Sequence, residues 1–164
     1  MKTILTILGI LITSTLMAQC DNFSVTEKGF NITTTTPSKI KEFSLSKIYF
    51  SDYTPPAALI YLFLNADGTY IKPAVLKELA KKSNVTIHFT DSTTLRLRAL
   101  IDYDYVGESI YSYRTVIFLN DLYIKELSTK KVAYYELYQF KTILSGRKGE
   151  YLFDYLNCMI SKEK

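Results

Sequence analysis

From Ile40 onward, apolar residues recur at every second position in segment after segment. That spacing lines one side of an extended strand, whereas a helix would scatter the same residues around its circumference. The clearest case runs from Val85 to Ala99. Val85, Ile87 and Phe89 alternate with polar residues, Asp91-Ser92 supplies a turn, and Leu95, Leu97 and Ala99 return with Arg96 and Arg98 facing away. Residues 58–64, ALIYLFL, are apolar on both faces and read as a central strand. Asn65-Ala66-Asp67-Gly68 then predicts a hairpin turn, with Gly68 supplying a positive φ and Thr69 to Ile71 returning as the partner strand. Between Ile40 and Phe50 the apolar parity slips from Phe43 and Leu45 to Ile48 and Phe50, which predicts a bulge or two short strands. Asp102 to Ser109 is acidic, tyrosine-rich and turn-prone and reads as a loop. Ile110 to Leu119 is a strand, and Val132 to Leu144 is extended with Val132, Tyr134, Tyr138 and Phe140 on one side.

The period changes in three places. Pro73 is tolerated in a first helical turn, and Val75, Leu76 and Leu79 share a face, so a helix is expected over about residues 74–82. Asn120 can cap a second over 121–127, and Leu152, Tyr155, Leu156 and Met159 recur at helical spacing within a closing helix over about 147–160. At least six strands are too many for one small flat sheet to cover. The expected architecture is therefore mainly β: an antiparallel β-sandwich with one or two short helical excursions and a C-terminal helix. A single curled antiparallel sheet packed on that helix, an α+β arrangement, is the alternative. No repeat or long linker divides residues 19–164, which read as one domain.

Residues 1–18 have the layout of a secretory signal peptide: Lys2, an apolar run from Ile4 to Ile12, a hydroxyl-rich break, and Ala18. The run is too short to span a bilayer, which takes roughly 20 apolar residues. A secreted or periplasmic chain is expected. Ordinary cleavage after Ala18 is favoured over lipidation of Cys20, because Gln19 occupies the position where a lipoprotein signal places a small residue. A lipoprotein anchored through Cys20 is the alternative, and only then is a membrane a partner. The two cysteines of an exported chain favour a Cys20–Cys158 disulfide, worth about 4–5 kcal/mol in the chain-entropy model. Asn22-Phe23-Ser24, Asn31-Ile32-Thr33 and Asn84-Val85-Thr86 match the glycosylation acceptor pattern.

Reactive groups are sparse. The single histidine, His88, falls among Thr86 and Thr90 on the polar side of its strand, with no nucleophile or orienting partner to name. One histidine and two distant cysteines do not make a zinc site. Asp102, Asp104 and Glu108 alternate as calcium ligands can, but no closing bidentate glutamate follows and Gly107 is out of place for a calcium loop. No glycine pattern cradles phosphate. No metal, cofactor or catalytic residue is therefore assigned. The net charge of +4 is dispersed among acidic residues, unlike the patch a nucleic-acid binder concentrates.

Aromatic usage is more distinctive, with 14 Tyr, 9 Phe and no Trp. Tyr103, Tyr105, Tyr111 and Tyr113 flank the Asp102–Ser109 segment and are the candidate binding residues, because rigid amphipathic rings suit protein or carbohydrate partners. The competing reading is cross-strand packing. The stretches NDLYIKELSTKKVAYYELYQF and GRKGEYLFDYLNCMI, after a hairpin-rich body, resemble small exported bacterial β-sandwich proteins of uncharacterised function over roughly residues 57–160. The resemblance implies the same architecture and carries over no functional residue, and the Lys72–Asn84 excursion stands in it as an insertion. The expected function is a non-catalytic exported binding or interaction module. The alternative is a carboxylate-dependent hydrolase, since the separation of two acidic groups in space cannot be read from sequence.

Overall fold

The computed structural model describes residues 23–28, 31–36, 40–51, 53, 57–79, 81 and 83–161. The expected signal peptide and Cys20 lie outside them. The strands are β1 (Ser24–Lys28), β2 (Asn31–Thr35), β3 (Phe43–Phe50), β4 (Ala57–Gly68), β5 (Val85–Phe89), β6 (Thr94–Leu97), β7 (Ile101–Gly107), β8 (Ile110–Phe118), β9 (Val132–Leu137) and β10 (Phe140–Ile143). The helices are α1 (Pro73–Leu79), α2 (Asp121–Thr129) and α3 (Lys148–Ser161). Two antiparallel sheets form, a six-stranded one in the order β1-β2-β3-β4-β8-β7 and a four-stranded one in the order β10-β9-β5-β6. Alternation decides what goes inside. Phe43 and Leu45, Ile60, Leu62 and Leu64, and Val85, Ile87 and Phe89 are all buried in one continuous core with Leu152, Leu156 and Met159 of α3, which packs on β3 and β9. The fold is thus the expected β-sandwich-like arrangement with a C-terminal helix, and β4 lies between β3 and β8 as a central strand should. Helix α2 starts where its cap predicts, the Asn120 side-chain oxygen accepting from the Tyr123 backbone N–H at 3.0 Å.

The sheets meet at small residues. β4 does not turn at Asn65-Ala66-Asp67-Gly68; it runs through to Gly68, paired with β8 as far as Gly68↔Tyr111. Gly68 is there for space rather than for a positive φ, because a Cβ on it would lie 2.3 Å from the Phe140 ring. Thr69 to Ile71 form no strand. Nearby, the Tyr135 hydroxyl, rooted in β9, donates to the Glu42 carbonyl oxygen at 2.5 Å, and the Asn65 carbonyl oxygen lies beside it as a second acceptor. Burial holds that hydroxyl neutral far above the ordinary tyrosine range.

Three other expectations change. β3 is one unbroken strand, in register with β4 from Phe43↔Leu64 to Phe50↔Ala57. Its parity slip arises because Lys47 takes an inner position, where its Nζ donates to the Met159 carbonyl at 2.7 Å, near the end of α3. The segment from Asp102 is not a loop but strand β7, reversing at Glu108-Ser109, both with positive φ (50° and 63°). Val132 to Leu144 is a hairpin turning at Tyr138-Gln139, with Tyr138 at φ 56°. A bulge in the β5–β9 ladder shifts parity, so Val132, Tyr135 and Leu137 face the core while Tyr134 points away from it. The acceptor pattern at Asn84 is ruled out by packing: its buried amide donates to the Ala99 carbonyl at 2.6 Å and accepts from the Ala99 N–H at 2.9 Å.

Lys148 at the start of α3 pairs with Glu42 beside β3 and, by that hydrogen bond, holds the Glu42 carboxyl below its ordinary 4.5. A depressed native pKa stabilises the fold above the unfolded value, and the contribution is lost as pH falls through the native one. Lys148 is 39% exposed, so the screened pair is worth about 0.5–1 kcal/mol. Lys148→Gln should therefore lower stability by that amount at pH 7, and the gap from wild type should close in urea titrations below pH 4.5.

Glycine offers a sharper test. A Cβ at Gly149 would sit 2.1 Å from the Val132 carbonyl oxygen, part of the backbone, whereas the ring facing Gly68 can swing. Gly68→Ala should cost about 1 kcal/mol and Gly149→Ala about 3 kcal/mol. Combining Phe140→Leu with Gly68→Ala should cost less than the two changes separately. Urea midpoints in the reverse order would contradict this account of the sheet contact.

Candidate functional site

Cross-strand register gathers the tyrosines. Tyr103 lies opposite Tyr113 and Tyr105 opposite Tyr111, so a period of two puts all four on one face of the β7–β8 hairpin. They form a gradient from core to solvent. Tyr113 is 0% exposed; its ring lies 4.6 Å from Phe140 and 5.7 Å from Tyr103. Its hydroxyl donates to the Thr69 carbonyl at 2.8 Å, and burial pushes its pKa up. As a binding residue Tyr113 is therefore corrected to a core residue, because β8 turns it inward. Tyr103 is half-buried beside it.

Tyr111 is the hinge of the gradient. Its ring centroid stands 5.3 Å from Tyr105, 5.3 Å from Tyr70 and 6.1 Å from Tyr103. Tyr105 is 62% exposed and Tyr70 50%. The rings tilt by 58° and 44° against Tyr111, so they make an angled ridge rather than one plane. At its foot lies a shallow apolar hollow of about 360 Å³ lined by Gly68, Thr69, Ile110 and Phe140. Tyr70 joins the group although sequence reasoning placed it within a return strand; no local signal marks it, since it arrives through the connection after β4.

The titratable groups are distributed differently. His88 lies on the outer face of the four-stranded sheet, stacked on Tyr134 at 4.1 Å and 14°, with Nε2 3.5 Å from Glu136 Oε2. Lys141 Nζ stands 3.6 Å from the Tyr134 ring centroid. Histidine is thus partly covered by a ring, where the sequence predicted an exposed position. Asp104 is engaged by Arg114, and among the described residues no three His, Cys, Asp or Glu side chains converge as a metal site. Asp91 is held low by hydrogen bonds from Thr93, and Asp154 on α3 is raised by burial. Neither lines a hollow of about 920 Å³ between β3, β4 and the start of α2, whose walls are Ile60, Leu119 and Ile124 with Lys47 and Asp121 at the polar side. Each of these shifts has a local structural cause.

No family model, curated protein or solved structure matches the chain.

The gradient separates packing from contact. Tyr113→Ala should destabilise by about 3–5 kcal/mol, the cost of emptying an aromatic core position, while Tyr105→Ala should stay within about 0.5 kcal/mol of wild type. Thermal unfolding of the two variants checks the assignment; a comparable loss for Tyr105→Ala would make it structural.

Proposed function

We propose that the chain is an exported binding module of the small β-sandwich kind it resembles, and that its contact surface is the ridge of Tyr70, Tyr105 and Tyr111. The observation that carries this is the mutual contact of rings left at least half open to solvent at Tyr70 and Tyr105. Rings braced against each other lose little conformational freedom when a partner covers them, and tyrosine offers apolar area with a hydroxyl at its rim. The partner is a protein segment or a carbohydrate. The chain has no tryptophan, so its tyrosine emission is unobscured. Titration with extended peptides and with β-linked oligosaccharides should change that emission, and Tyr70→Ala with Tyr105→Ala should abolish the response without lowering the melting temperature. An undiminished response in the double variant would remove the ridge from the reading.

Export also bears on the cysteines. Cys158 is buried on α3, and Phe23 packs edge-on against Tyr155 at 5.6 Å, three positions before it. Three residues of chain reach about 10 Å, so Cys20 has the length to meet Cys158. We read the pair as a disulfide formed in a secreted or periplasmic setting, with Cys20 unlipidated. Alkylation of the unfolded, unreduced protein followed by intact-mass measurement should add no label. Two alkyl groups would refute the bridge, and a diacylglyceryl increment would place the chain on a membrane.

A further inference from the structure

β7 is the outermost strand of the six-stranded sheet, and β8 is its strand partner among the described residues. Every other residue of an edge strand turns its N–H and C=O away from the sheet, and proteins blunt such edges with short strands, proline, β-bulges or charged side chains, lysine above all. The other three edges here follow that practice: β1 is five residues and contains Lys28, β6 is four and contains Arg96, and β10 is four and contains Lys141. β7 is seven residues long, IDYDYVG; its register with β8 shifts after Tyr105, so Ile101–Tyr105 are the regular edge, and its two charges, Asp102 and Asp104, are both acidic, so that they repel an acidic strand and admit a basic one. It is also the strand that carries Tyr105.

We propose that β7 is a docking edge at which an extended polypeptide segment adds as a further antiparallel or parallel strand, with basic residues on one face and apolar residues on the other. The inference rests on the tyrosine-ridge reading above and gives its partner a class. The pattern of β7 selects the pattern of the guest. Asp102 and Asp104 project from the outer face, with Arg114 opposite Asp102 in register and paired with Asp104. The second face presents half-buried Tyr103 and exposed Tyr105. A neighbouring strand places its alternate side chains beside these two sets, so lysine or arginine meets the aspartates while valine, isoleucine or tyrosine lies along the rings.

The same pattern argues against the two other occupants. Two copies paired through β7 would bring Asp102 and Asp104 of each onto one face, four carboxylates against two Arg114, and like charges across strands are destabilising. A sugar stacks on an open ring plane, whereas Tyr70 and Tyr105 are tilted by 44° and 58° from Tyr111 and divide that plane. Backbone hydrogen bonding to an edge needs no such plane.

The experiment uses the full chain, isotopically labelled, and a panel of synthetic heptapeptides in which Lys alternates with Val, Ile or Tyr. Matched panels carry Glu in place of Lys, or N-methyl groups on every second amide. The Lys series should shift the β7 backbone amides and bind at least tenfold more tightly than the Glu series. N-methylation should cost tenfold or more in one of its two registers, and Asp102→Lys with Asp104→Lys should reverse the charge preference while β8 amides report an intact sheet. Equal affinity for the Lys and Glu series, indifference to N-methylation in both registers, absence of millimolar binding across the panel, or dimerisation of the chain through β7 would each overturn the proposal. If an oligosaccharide shifts the Tyr70, Tyr105 and Tyr111 ring signals and the peptides do not, strand addition falls and the ridge stands. If peptides shift β7 with affinity unchanged by Tyr105→Ala, the ridge falls and strand addition stands.

Discussion

The close approach of β4 to the β9–β10 hairpin sets the geometry of everything near the tyrosine ridge. Gly68 lets the Phe140 ring lie against the strand, and the Tyr135 hydroxyl reaches across to carbonyls at Glu42 and Asn65. A hydroxyl buried this deeply must donate, and the carbonyls it faces must be satisfied, so the contact specifies one position of the hairpin over the sheet as well as holding it there. Phe140 then backs Tyr113, Tyr113 backs Tyr103, and Tyr103 lies beside Tyr111. The exposed rings are the last members of a stack that begins in the core. Their positions are fixed from behind, which is the condition for a preorganised contact surface.

Tyrosine suits such a stack at every depth. At Tyr135 and Tyr113 the hydroxyl is answered by backbone carbonyls, and at Tyr105 and Tyr70 by solvent. Phenylalanine would serve only the apolar part, and at Tyr135 it would leave the two carbonyls without this donor. Part of the high tyrosine content thus serves an aromatic layer that runs from interior to surface through the β7–β8 hairpin.

Strands with clean alternation were legible: β5 with β6, β8, and the helices α2 and α3 follow directly from Val85, Ile87, Phe89, from Asn120, and from Leu152, Leu156, Met159. The failures share a physical origin in turns and spacing set by tertiary packing. The Asn-Ala-Asp-Gly sequence has turn chemistry, yet β8 pairs with all four residues and Phe140 needs the room at Gly68, so it stays extended. The real turns sit at Glu108-Ser109 and Tyr138-Gln139, pairs without the glycine or asparagine that usually marks positive φ. With the first of these hidden, β7 read as a loop. The four tyrosines of β7 and β8 could be named from sequence, but not that Tyr113 was core or that Tyr70 would join, since both depend on where the sheets meet. β1 and β2, rich in serine and threonine, carry no apolar face to announce them.

A sandwich of this kind also decides where chemistry can and cannot gather. Strands alternate inside and outside, so polar side chains are dispersed over two broad outer faces, and those that meet do so in cross-strand pairs such as His88 with Glu136 or Asp104 with Arg114. Arg114 answers the charge of Asp104 in this way. Converging three or four reactive groups usually draws on loops brought to a common point, and among the described residues the β7–β8 and β9–β10 connections are two-residue turns. What the architecture concentrates instead is backbone and aromatic surface: a proline-free edge, regular from Ile101 to Tyr105, beside a braced row of rings. Tyr105 belongs to both, on β7 and 5.3 Å from Tyr111 of β8, so the proposed strand addition and the proposed ridge contact share one residue.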